Sequence, residues 1–153
     1  MSEENKAFVR RLYQEVYNNG RIDLIDEMYA WDVELHIAGI LEDPFGPEPI
    51  KQLVTMTRMA FPSIHVTVDD IIAEGDRVAA CISFTGAFQG IGMGTSPRVN
   101  LSWWRRIDVY RIQLGRVVEQ WGDRDDFTML QRLGVAVPAF NDPKPTPREF
   151  GRL

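Results

Sequence analysis

The sequence predicts an α+β domain in which helices group at the front of the chain and antiparallel strands behind them. Two patterns carry this expectation. Apolar residues recur at helical spacing up to about residue 60, interrupted by one short alternating segment, and then at period two from about residue 64. The order lacks the strand–helix alternation that would signal a doubly wound parallel sheet.

Phe8, Val9, Leu12, Tyr13, Val16 and Tyr17 place an amphipathic helix over residues 3–18, and Asn18-Asn19-Gly20 stops it. A short second helix follows over 22–29, with Asp23 as its cap and Leu24, Ile25 and Met28 as its stripe. Val33, Leu35 and Ile37 alternate with Glu34 and His36, which predicts a half-buried strand. Proline and glycine make 42–49 a loop, and a third helix starts near Pro49, where a first turn tolerates proline. Its stripe is Ile50, Leu53, Val54, Met56 and Met59, and it stops near Phe61-Pro62.

Ile64, Val66 and Val68 open the period-two region. A tight turn at Glu74-Gly75-Asp76 leads into a partner strand over 78–84. The glycine-rich stretch 85–97 predicts a bend or bulge. A long strand over 99–112, a turn at Gln113-Leu114-Gly115 and a strand over 117–121 come next, then a helix over about 126–132. Residues 1–137 form the expected domain. Residues 138–153, with four prolines and little apolar periodicity, form a proline-rich C-terminal tail.

With 153 residues the chain fits one domain, since domains run about 100–200 residues. A formal net charge of -5 and no basic run argue against nucleic acid or an anionic membrane as partner. No window approaches the ~18 apolar residues of a membrane span, and the opening residues carry no apolar leader, so the cytoplasm is the expected location. Cys81, the single cysteine, is expected as a buried strand thiol. One cysteine and two histidines leave little for a transition-metal site, and none is expected. Gly90-Ile91-Gly92-Met93-Gly94 lacks the third glycine of a dinucleotide loop and has no helix after it.

Candidate chemistry concentrates on the last hairpin. Pairing Ile112 with Val117 sets Tyr110 near Glu119 and Asp108 near Trp121, so these four side chains project from one face. Asp123 and Asp125 continue the same parity. A carboxylate held against aromatic walls has its charged form disfavoured, which suits it to move a proton at a carbon beside a carbonyl. Asp125 and Asp126 are also each placed to cap the following helix. His36 sits opposite the Val33, Leu35, Ile37 parity, at a cavity mouth or on the surface. Tyr13, Tyr17 and Met56 lie on helical stripes that line either an apolar cavity or plain core. His65 and the pair Arg105-Arg106 are expected in solvent, and the consecutive Trp103 and Trp104 must face opposite sides.

Asp43-Pro44-Phe45-Gly46, Phe61-Pro62, Ile71-Ile72-Ala73-Glu74-Gly75-Asp76, Ile107-Asp108-Val109-Tyr110 and Gly115-Arg116-Val117-Val118-Glu119-Gln120-Trp121 follow in order. Asp125 and Leu130-Gln131-Arg132-Leu133-Gly134 complete the series. This series resembles the SnoaL-like polyketide cyclases and ester cyclases of the nuclear-transport-factor-two-like superfamily. The resemblance implies a cone: a curved antiparallel sheet wrapped around the N-terminal helices and open at one end. It also implies a homodimer, no cofactor, and Asp125 as the acid–base residue, with Asp126 left as the cap. Asp108 stands where many members carry a histidine.

The implied function is a cofactor-independent cyclase. It would act on a bulky, carbonyl-bearing, polyketide-like small molecule by proton transfer, closing a ring in an aldol-type step or isomerising the substrate. Asp125 and Asp108 are the catalytic candidates. Tyr110, Trp121, Glu119, His36, Tyr13, Tyr17 and Met56 are the substrate-binding ones. A hydrolase with paired acids, such as an epoxide hydrolase, and a non-catalytic small-molecule binding protein are the alternatives.

Overall fold

The computed structural model describes residues 2–37, 45–88 and 100–124. Helix α1 (Ser2–Arg11) passes directly into a wider helical stretch, Leu12–Asn18, before a 3₁₀ turn (Ile22–Leu24) and the short α2 (Ile25–Met28). Strand β1 (Tyr29–Ile37) and helix α3 (Glu48–Ala60) follow, and then β2 (His65–Glu74), β3 (Arg77–Phe88), β4 (Asn100–Gln113) and β5 (Arg116–Arg124). The second helix expected over 22–29 is therefore split, and Tyr29 already belongs to β1. The expected helix over 126–132, the tail 138–153, most of the 85–97 bend and Asp125 lie outside the described residues.

The five strands form one curved, unclosed sheet in the order β1-β5-β4-β3-β2. Its hairpin-linked neighbours and β3–β4 are antiparallel, but β1 joins β5 in parallel, so the sheet is mixed. Parallel pairing needs a long crossover connection, and the chain between β1 and β5, which contains α3 and the other three strands, supplies one.

Two turns place the hairpins. Gly75 takes φ +59 between β2 and β3, while Leu114 (φ 52) and Gly115 (φ 72) make the left-handed two-residue loop between β4 and β5. Two bulges then decide which side chains face inward. One leaves Asp69 unpaired in β2 between Val68 and Asp70, so Ile71 is buried and Ile72 exposed. The other lies in β5, where Ile112 pairs with Val117 but Arg111 pairs with Glu119, leaving Val118 as the extra residue.

The helices fill the concave side. Val9, Leu12, Tyr13, Val16, Tyr17, Ile25, Ile50 and Val54 pack against Val33, Leu35, Val78, Ile82, Phe84 and Trp104 of the sheet. Asn18 fastens the end of the first helix to β2, donating to the Val66 carbonyl (3.1 Å) and accepting from the Val66 amide (2.7 Å). From α3, Arg58 donates to the carbonyls of Tyr17 and Asn18, satisfying helix-end acceptors. Among the described residues, no helix is long and apolar enough to cross a membrane.

Candidate active site

Strand β4 alternates strictly, so Trp104, Arg106, Asp108, Tyr110 and Ile112 all point into the core. Two of these are charged and nearly fully enclosed, Arg106 at 4% exposure and Asp108 at 0%. Isolated charges at such depth would be prohibitive, so their partners define the site.

Arg106 reaches Asp108 Oδ2 through both Nε (3.0 Å) and Nη2 (2.8 Å). The Tyr13 hydroxyl donates to the same oxygen at 2.7 Å. The Tyr110 hydroxyl is 2.8 Å from the Tyr13 oxygen and 3.2 Å from Asp108 Oδ2; having one proton, it favours the shorter contact. A directional relay results, Tyr110 to Tyr13 to Asp108. Arg106 Nη2 also donates to the Tyr17 hydroxyl at 3.0 Å, and its guanidinium lies over the rings of Tyr17 and Phe84. Tyr13 and Tyr17 come from the wide stretch Leu12–Asn18, a helical form often found at functional sites.

Burial, reinforced by the Asp108 charge, pushes the Tyr13 and Tyr110 phenols well above their ordinary range, so both hold their protons as donors. Burial raises Tyr29 likewise, followed by the influence of Tyr17 and Asp108. Burial works against the charge on Arg106, but Asp108 and the surrounding tyrosine oxygens outweigh it and raise its pKa further.

The second carboxylate oxygen is placed differently. Among the described residues, Asp108 Oδ1 and Gln120 Nε2 are buried without a hydrogen-bond partner. Gln120 is fully enclosed and uses its other atom, Oε1, to accept from Tyr29 at 2.6 Å. Asp108 pairs with Gly122 across the β4–β5 ladder and Tyr110 with Gln120, so Asp108 and Gln120 are diagonal neighbours on the inner face. A Cβ at position 122 would stand 2.7 Å from Asp108 Oδ1, so the carboxylate occupies the space left by that glycine. Each is a buried polar atom with its hydrogen-bonding capacity unspent, which is uncommon in a folded core.

A family model described as SnoaL-like polyketide cyclase matches residues 7–133. The chain belongs to the SnoaL-like polyketide cyclase family. Among solved structures, IdmH from Streptomyces antibioticus, a proposed polyketide cyclase, is 30% identical with a TM-score of 0.78, covering 86% of this chain and 99% of its own. AclR from Streptomyces galilaeus, a proposed hydroxylase, is 27% identical with a TM-score of 0.77, covering 88% of this chain and 98% of its own. A proposed polyketide cyclase from Acidithiobacillus ferrooxidans shares the fold at 22% identity and a TM-score of 0.76, covering 85% and 94%. No curated protein matches the sequence.

Within this SnoaL-like frame, the expected cluster is only partly assembled. Asp108, Tyr110, Tyr13 and Tyr17 meet in one buried network. Glu119 and Trp121, expected on the same face, stand on the opposite one. The Val118 bulge shifts the β5 parity, so Gln120 and Gly122 turn inward instead. His36 joins Glu119 and Trp121 on the outer face, stacking on Trp121 at 5.3 Å with its Nε2 2.8 Å from Glu119 Oε2. Met56 is also corrected from a cavity-lining position. It is 69% exposed, because the buried stripe of α3 runs through Ile50 and Val54 and leaves Met56 on the outward side.

Asp125, the residue after Arg124 at the end of β5, lies outside the described residues. His65 is exposed, Trp104 is buried against Phe84, and Trp103 faces out under Arg105, all as their alternation requires. Cys81 is half-buried on the outward parity of β3.

Three residues were missed. Arg106 was expected in solvent as half of a basic pair, although its i, i+2, i+4 parity with Asp108 and Tyr110 already placed it beside them. Tyr29 was assigned to a helix end. Gln120 could not be recovered by parity at all, because only the bulge turns it inward.

Proposed function

We propose that this chain is a cofactor-independent cyclase that encloses a bulky, carbonyl-bearing, polyketide-like small molecule and moves one proton to close a ring. The observation that carries the reading is the buried Asp108 carboxylate, with Oδ2 held by Arg106 and Tyr13 and Oδ1 unpartnered beside Gly122. Such a fixed charge array orients a polar substrate and needs no reorganisation during reaction.

In this reading Asp125 takes the acid–base role, supported by its sequence position next to Arg124 and by the family resemblance. Its carboxylate takes a proton from a carbon next to a carbonyl, and the resulting enolate carbon attacks a second carbonyl of the same molecule. The new alkoxide takes the proton back, so the step is redox-neutral and consumes no co-reactant. Asp125→Asn is expected to abolish turnover of a polyketide-like β-diketone while leaving the thermal midpoint and ligand binding near wild type. Wild-type turnover in that variant would remove Asp125 from the mechanism.

A hydrolytic reading, such as epoxide opening, draws support from the same inner pair. Asp108 Oδ1 can accept from a water and Gln120 Nε2 can donate to it. Reaction in ¹⁸O-labelled water separates the two, because hydration places solvent oxygen in the product and the aldol closure does not. We also propose a homodimer formed through the β2–β4 part of the sheet's outer face, where Ile72 and Ile107 are exposed; sedimentation as a monomer would contradict it.

A further inference from the structure

The outer face, to which the Val118 bulge turns Glu119, carries a second constellation on the opposite side of the sheet from the buried tyrosines. Glu34 of β1 and Glu119 of β5 are directly paired across the parallel strands, and His36 stands two residues beyond Glu34 on the same side. Two carboxylates opposite one another on neighbouring strands repel, which favours a cation beside them; Arg111 supplies one at Glu119 Oε1 and leaves Oε2 and the Glu34 carboxylate to His36. His36 Nε2 is 2.8 Å from Glu119 Oε2 and 3.9 Å from Glu34 Oε2, and the three donor atoms all lie within 4.8 Å of one another.

We propose that Glu34, His36 and Glu119 form a binding site for a divalent transition-metal ion of the zinc class. Ligand bonds of about 2.0–2.2 Å in a tetrahedron put donor atoms roughly 3.3 Å apart, a spacing that the observed 2.8 and 3.9 Å straddle. Two of the donors are already aimed. The imidazole is stacked on Trp121 (5.3 Å between centroids, 20° between planes), which fixes its ring plane. Arg111 Nε holds Glu119 Oε1 at 3.1 Å, leaving Oε2 to face His36. This is how contacts behind a ligand orient it towards a metal. The Glu34 side chain is half-exposed and free to swing the remaining distance.

The donor set selects the ion. Imidazole suits zinc, nickel and copper, whereas calcium and magnesium call for an oxygen shell. With Glu119 Oε1 engaged by Arg111, the site offers one nitrogen and two single oxygens and leaves a fourth position for water. The bound ion would tie the edge strand β1 to β5, so metal should stabilise the folded chain by mass action.

Calorimetric titration of the full chain with zinc chloride tests this, with calcium and magnesium chlorides in parallel. One zinc per chain is expected, with a raised thermal midpoint and no response to the other two. His36→Ala and Glu34→Gln, both on the exposed face, should each weaken zinc at least ten-fold and remove the thermal shift. His65→Ala and Cys81→Ser should change neither. Unchanged zinc affinity in His36→Ala, equal binding of calcium, or no zinc binding at millimolar concentration would each overturn the site. None of these readouts depends on turnover, so this proposal and the cyclase reading stand or fall separately.

Discussion

Asp108 and Gly122 face each other across the β4–β5 ladder, and the carboxylate Oδ1 sits 2.7 Å from where a side chain at 122 would begin. Glycine here makes room for a charge. The contact is with a carboxylate pinned on its other oxygen by Arg106 and Tyr13, so it cannot simply swing away.

Gly122→Ala should therefore act through Asp108. Displacing the carboxylate strains the Arg106 and Tyr13 contacts, and overpacking of this kind costs about 1–3 kcal/mol. A lowered urea midpoint together with reduced turnover is the expected result. A variant with wild-type stability and turnover would mean that Asp108 moves freely.

Arg106 and Asp108 should be strongly coupled. Arg106→Met leaves a buried carboxylate without its countercharge, which typically costs about 3–5 kcal/mol. Removing both charges, as in Arg106→Met with Asp108→Leu, should recover much of that stability while leaving turnover absent. Equilibrium denaturation of the two single variants and the double variant measures the coupling. Additive losses would show that the pair is not a unit.

Alkaline pH should unfold the protein through its tyrosines. Tyr13, Tyr29 and Tyr110 have raised pKa values in the folded state, chiefly from burial. Below about pH 10, where unfolded phenols begin to ionise, both states are protonated and the stabilisation is complete. As pH climbs from there towards the folded values, the unfolded chain releases protons first and stability falls. Denaturant midpoints should drop across this window, and the tyrosinate absorbance of these three phenols should appear together with unfolding. Gradual titration of all three with the fold intact would contradict their enclosure.

Much of this architecture was legible because local periodicity and turn chemistry express it directly. The stripe Val9, Leu12, Tyr13, Val16 and Tyr17 determined the first helix and its buried face. Glu74-Gly75-Asp76 and Leu114-Gly115 determined two hairpin turns, and the ordered blocks from residue 43 to 134 determined the family. Alternation along β4 was enough to put Asp108 and Tyr110 on one face.

Only the tertiary structure decided which residues of β5 meet them. Strand parity extrapolates one pairing along a whole hairpin, and a single unpaired residue, Val118, reverses it. That reversal moved Glu119 and Trp121 out to His36 and brought Gln120 and Gly122 in beside Asp108. The parallel pairing of β1 with β5 was equally illegible, since it joins segments about ninety residues apart with no turn to announce it. Sequence determined the elements and the family; long-range register decided which charges are buried together and which face water.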